Sequence, residues 1–224
     1  MLKTIKQNIL QWWNELDKKY FLGMLLFSSF VFFPLVSQRL TNAYDGMWTT
    51  AEYRAGGWEL SNGRWLWPVF SFLRFSLQLE PINAVVCLML VSLGVTRLHM
   101  LFKPVWMRTS CIDWLAGLCY VSNVVVGCYL SFHFIAPEYG FSLFFAMLAT
   151  EHVIRGKSAV SSIVPAAVLL ALSLGLYQTN LPVSVWCCWP IFSCCFSGME
   201  KNKRFGNIFA KAWQVLHPAQ CCIC

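Results

Sequence analysis

The chain has 224 residues, of which 58% are hydrophobic, 16% aromatic and 12% charged. Soluble domains carry about 25% charged residues, so a water-facing globular domain is excluded. The formal net charge of +7 does not indicate nucleic acid either, because the basic residues fall in short clusters between apolar runs. The short alternating segments of a membrane β-barrel are absent, which leaves an all-α, polytopic membrane protein.

Residues 1–19 place Leu2, Ile5, Ile9, Trp12, Trp13 and Leu16 at three- and four-residue steps among lysines. That is the pattern of an amphipathic helix lying on the membrane surface. With Lys3 and Lys6 early and no apolar core behind them, no cleavable signal peptide is read here. Tyr20 to Val36 forms a first span, and Pro34 is placed to kink its end.

Residues 37–80 form the longest polar interruption in the chain, with four arginines balanced against four acids. Further spans are expected over Pro81–Leu101, Ile112–Phe134, Ile135–Ile154, Ser158–Tyr177 and Leu181–Gly198, about six in all. Glu138 and Glu151 confine the uncharged part of the fourth span to its middle. No span shows the buried charge pair or the symmetric broken helix of a transporter.

The basic excess lies in the N-terminal segment, around Lys103, at Arg155 and Lys157, and in the tail with Lys201, Lys203, Arg204 and Lys211. Cytoplasmic loops carry such excess. A multi-pass cell-membrane protein with both termini cytoplasmic and the 37–80 loop facing outward follows. The expected parts are an interfacial helix at 1–19, a transmembrane domain at 20–198 and a basic, cysteine-containing cytoplasmic tail at 199–224.

Of the 11 cysteines, Cys87, Cys119 and Cys128 lie in apolar runs, where cysteine acts as a small hydrophobe. The pairs Cys187-Cys188, Cys194-Cys195 and Cys221-Cys222 lack zinc-ligand spacing. No metal site is read from them.

Within the loop, Asp45 stands close behind the first apolar run, where an acid is costly unless it serves a function. Thr49 to Tyr53 permits a short helix that Gly56-Gly57 would break. A second helix is expected from Asn62 or Gly63 to about Leu77, with Trp65, Phe70, Leu73 and Leu77 toward the membrane. Trp48, Trp58, Trp65 and Trp67 read first as interfacial anchors. Arg64 reads equally as a headgroup contact or as a partner of Glu59.

The run YDGMW…GGWEL…GRWLWP…LRF, followed by LSLGLYQTNLP, resembles a bacterial membrane glucosyltransferase family related to the O-antigen-modifying, serotype-converting enzymes. The resemblance covers about residues 20–182. It rests on Asp45-Gly46, on Asn62-Gly63-Arg64-Trp65 and on Leu176-Tyr177-Gln178. Such enzymes are similar to GT-C glycosyltransferases, which move a hexose from a polyprenyl-phosphate carrier to a surface glycan on the outer face of the membrane.

The resemblance implies a sugar donor on a lipid phosphate, a glycan acceptor, membrane lipid around the protein and no nucleic-acid partner. It makes Asp45 the catalytic carboxylate, which accepts a proton from the acceptor hydroxyl or orients it. It makes Arg64 the phosphate contact, with Glu59, Trp65, Tyr177 and Gln178 as further substrate-binding residues and Glu52 beside them. No cofactor is required by this pattern. A divalent cation stays open, although the chain has Tyr44-Asp45 where many members have two adjacent acids. The family's chains are much longer, and after Pro182 the composition changes to paired cysteines. A truncated, inactive copy, or a non-enzymatic accessory or flippase-like protein, therefore stands as the alternative.

Overall fold

The computed structural model describes residues 2–38, 52–75, 77, 79–102, 110–155, 159–180 and 182. They form nine α-helices and one 3₁₀ turn, with no strand among the described residues. An isolated antiparallel bridge joins Glu52 to Leu77 at the base of the loop.

Helix α1, Leu2–Glu15, has a pronounced amphipathic pattern. Asp17 then caps α2, Lys18–Ser37, by accepting a hydrogen bond from the Tyr20 amide at 3.1 Å. Pro34 lies in the last turn, and α2 continues through it to Ser37. The loop contributes α3, Gly57–Ser61, and α4, Trp67–Leu73. Then come α5, Ile82–Phe102, α6, Ser110–Val121, and α7, Val124–Ser131. Helices α8, Ala136–Arg155, and α9, Ala159–Leu176, complete the described bundle, and Gln178–Asn180 forms the 3₁₀ turn.

Among the described residues three stretches are long and apolar enough to cross a membrane: Lys18–Ser37, Ile82–Leu101 and Cys111–Ser131. Helix α9 contains a shorter apolar run, Ser162–Leu176. The expected third span is not one continuous helix. Asn123 interrupts it, and its side chain accepts a hydrogen bond from the Val125 amide at 2.9 Å, so the chain restarts as α7. Apart from Pro182, the expected sixth span and the tail expected to be cytoplasmic lie outside the described residues.

Helix α8 is the centre of the packing, with α5 against one side and α9 against the other. Ala136, Gly140, Ala146 and Ala149 are buried along it, and small side chains let neighbouring backbones approach. The α8–α9 contact is also hydrogen-bonded. Ser142 Oγ donates to the Ser173 carbonyl at 2.9 Å, and Ser173 Oγ donates to the Ser142 carbonyl at 2.8 Å. Each such interhelical bond contributes about 0.6 kcal/mol in lipid. Helix α2 packs across α5 and α6.

The loop helices differ from expectation in register. Residues 53–56 are not helical, and the Gly56-Gly57 pair begins a helix rather than ending one. The cause is Glu59, whose carboxylate accepts the Gly56 amide hydrogen at 2.6 Å and so satisfies one orphan donor of the first turn. Helix α4 starts only at Trp67, with Pro68 in its first turn, and ends at Arg74.

Candidate functional site

The site grows from the connection between the two loop helices. Gly63 has φ of +76°, a left-handed conformation that a side chain would strain. A Cβ there would also collide with Gln178 Nε2. Gln178 uses this close approach to donate a hydrogen bond from Nε2 to the Asn62 carbonyl at 2.8 Å. Two motifs separated by more than a hundred residues thus meet directly.

The next residues extend that seam. The Leu66 amide donates to the Gly175 carbonyl at 3.0 Å. Trp67 Nε1 donates to the Leu176 carbonyl at 2.5 Å, with Trp67 only 2% exposed. These two acceptors belong to the last turn of α9, whose carbonyls have no intrahelical partners. Trp65 lays its ring over Gly175, where any larger residue would strike it. Trp65 and Trp58 are exposed, so they fit the reading as interfacial tryptophans, whereas Trp67 is a buried strut.

Arg64 is left at the centre of this seam, half-buried among rings. Its guanidinium carbon lies 4.4 Å from the Trp67 ring centroid, 5.4 Å from Tyr177 and 5.8 Å from Trp58. All three are within cation–π range. Among the described residues, no hydrogen bond or ion pair engages the Arg64 side chain. A planar cation with free donors beside aromatic faces has the chemistry to receive an anionic oxygen and a sugar ring.

The family model "Glucosyl transferase GtrII" matches residues 40–221. The chain belongs to this glucosyl transferase family. No curated protein and no solved structure matches it. The GtrII match takes in the loop from residue 40, helices α3 to α9 and most of the cysteine-rich tail, and so begins after α2 and continues beyond Pro182, where the resemblance read from sequence stopped. With its apolar helices, this GtrII chain is a membrane protein of a sugar-transferring family.

Of the residues expected to form the site, the GtrII chain brings Glu59, Arg64, Trp65, Tyr177 and Gln178 into one cluster. Asp45 lies outside the described residues, as does Trp48. Glu52 sits at the bridge with Leu77. Both Glu59 oxygens are engaged within the loop, one by the Gly56 amide and the other by the Tyr53 hydroxyl at 2.6 Å. Burial pushes the Glu59 carboxyl up, but the hydrogen bonds from Tyr53 and Gly56 and the nearby Arg64 charge outweigh it. The carboxyl therefore titrates below its ordinary value of 4.5. Burial, reinforced by that same bond to Glu59, holds the Tyr53 hydroxyl well above its ordinary value of 10.0. Among the described residues, no three His, Cys, Asp or Glu side chains converge as a metal site requires.

Two charge pairs escaped sequence reasoning, and they overturn the expectation that no span carries one. Arg97 of α5 donates from Nε to Glu151 Oε2 of α8 at 2.9 Å and from Nη2 to Oε1, and both residues are buried. Arg155 also reaches Glu151, at 3.1 Å. At the loop-bearing end, Arg74 pairs with Glu138 at 2.5 Å. A signal existed for Arg97 and Glu151, since an isolated charge inside an apolar run needs a partner. Nothing local identified which partner.

Proposed function

We propose that this chain transfers a glucosyl residue from a polyprenyl-phosphate carrier to a surface glycan at the outward face of the membrane. The observation that carries this reading is Arg64, an arginine without a counter-charge among the described residues, ringed by Trp58, Trp67 and Tyr177. A lipid phosphate leaving group develops charge on its oxygens, and a preorganised guanidinium stabilises that charge in two parallel hydrogen bonds. The aromatic faces offer the stacking surface that a sugar ring uses.

In the proposed reaction the acceptor hydroxyl oxygen attacks the anomeric carbon. The bond from that carbon to the phosphate oxygen breaks, and its electron pair stays on the phosphate. Asp45 takes the hydroxyl proton as general base. Arg64 holds the departing phosphate, while Trp65, Tyr177 and Gln178 line the sugar side. Glu59 acts by fixing Tyr53 and the start of α3, and so the backbone that presents Arg64. The orientation, with the loop outward and both termini cytoplasmic, rests on the distribution of Lys and Arg.

Membranes containing the full chain, supplied with radiolabelled glucosyl-phosphoryl polyprenol and acceptor glycan, test this reading. Label should pass to the glycan, and Arg64→Ala and Asp45→Asn should each abolish most of the transfer. If the wild-type chain moved no label while correctly inserted, the non-enzymatic alternative would stand instead.

A further inference from the structure

A second group of charges lies at the loop-bearing end, outside the Arg64 cluster. Arg74 closes α4, and its Nη2 reaches Glu138 Oε1 at 2.5 Å. Its Nη1 donates to the Phe134 carbonyl at 2.6 Å, just ahead of α8. The Glu138 side chain is 1% exposed and the Arg74 side chain 12% exposed. Arg74 Nε and Glu138 Oε2 are both buried, and among the described residues neither has a hydrogen-bond partner.

The position of this pair in the loop gives it leverage over the site. Helix α4 is fixed at its other end by Trp67, bonded to Leu176 at the tip of α9. Midway along it, Ser71 Oγ donates to the Tyr53 carbonyl at 2.9 Å and accepts from the Ala55 amide at 3.4 Å. Tyr53 in turn holds Glu59, and the Glu59 carbonyl receives the Arg64 amide at 3.0 Å. A short helix tied to α9 at one end and to α8 at the other therefore carries part of the support of Arg64, beside the direct bonds of Asn62 and Leu66 to Gln178 and Gly175.

We infer that Arg74 and Glu138 are a positioning pair, a latch that seats the loop on the α8–α9 ends and thereby sets the Arg64 site. Among the described residues Arg74 Nε and Glu138 Oε2 have no hydrogen-bond partner, as Arg97 Nη1 has none in the Arg97–Glu151 pair, but of the two pairs only Arg74–Glu138 joins the loop to α8. The strength of this one contact sets the fraction of chains in which the loop is seated. The fraction seated then scales the apparent affinity for any ligand of Arg64. Only the kinetic arm of the test below rests on the glucosyl-transfer reading.

Hydrogen–deuterium exchange on the purified full chain in lipid nanodiscs reads the latch directly. Glu138→Gln and Arg74→Gln should each speed exchange over residues 64–74 at least about tenfold, leaving α5 and α9 at wild-type protection. The double variant should be no faster than either single one, as for two halves of one contact. Arg74→Lys, which keeps the charge but loses the forked geometry, should give a smaller rise. In transfer assays the donor KM should rise about tenfold or more with kcat within about twofold. Unchanged loop exchange in the single variants would overturn the proposal. So would a rise spread across α5, α8 and α9, which would make the pair a stabiliser of the bundle, or a fall in kcat at constant KM.

Discussion

Arg64 and Arg97 make the same aromatic contact in different electrostatic settings. Each guanidinium lies over a tryptophan ring, at 4.4 Å from Trp67 for Arg64 and 4.8 Å from Trp12 for Arg97. Arg97 is 3% exposed and spends its charge on Glu151 in a two-bond pair. Arg64 is half-buried, and Glu59, an acid that feels its charge, is occupied by Tyr53 and Gly56. The difference lies in where the carboxylates point. An arginine over a ring is a strut when a carboxylate closes the circuit; the proposed function makes Arg64, which no carboxylate engages among the described residues, a receptor.

The comparison breaks first at its paired end. Glu151→Leu strands a buried cation and should cost about 3–5 kcal/mol of stability, measured by denaturation of the solubilised protein. Adding Arg97→Met should recover most of that loss, because a well-packed apolar pair replaces a buried ion pair at little cost. No such rescue exists at Arg64. Arg64→Ala should lower transfer about 10²–10³-fold, the usual cost of deleting a charge-stabilising donor, with exchange protection of the bundle unchanged.

Two smaller effects sharpen the contrast. Gly63→Ala should destabilise the seated loop by about 1–2 kcal/mol, since the left-handed conformation then carries a Cβ. The readout is faster exchange of the Leu66 amide, and a variant with wild-type protection there would contradict the Gly63–Gln178 seam. The pH dependence of seating should follow Glu59. Its folded-state pKa is depressed, so its contribution is complete above the ordinary 4.5 and is lost as pH falls through the lower folded value. Loop protection should therefore hold from neutrality to about 4.5 and decline only below it, and Glu59→Gln should remove that acid limb. Tyr53 acts with the opposite sign, its neutral form being favoured, so its contribution is lost only as pH rises beyond 10.0.

Much of the bundle was legible because apolar length is a one-dimensional property. The segments expected over 20–36, 81–101, 135–154 and 158–177 differ from α2, α5, α8 and α9 by a few residues at their ends. The break at Asn123 was missed because a single capping side chain is weak against a long apolar run. The loop helices were misplaced for a related reason. Gly56-Gly57 reads as a breaker until Glu59 is seen to satisfy the Gly56 amide.

The site divides in the same way. Motif order put Asn62–Trp65 and Tyr177-Gln178 on one list, and the hydrogen bond from Gln178 to Asn62 puts them in one place. Glu138 was read as a charge that shortens a span, and its partner Arg74 lies 64 positions earlier in a different element. Periodicity along a helix carries no information about such a pairing.

The bonds from Leu66 and Trp67 to the tip of α9 also impose an order of events during synthesis. Trp67 must wait for a carbonyl that lies 109 residues further along the chain. At about 5–20 residues per second, that is a delay on the order of ten seconds after the loop itself is made. For that interval the Trp67 indole and the Leu66 amide are without these two carbonyls, because the last turn of α9 does not yet exist to supply them. The arginine cradle is therefore among the last parts of the described molecule to form, and a ribosome that halts before Leu176 leaves a loop with nothing to close on.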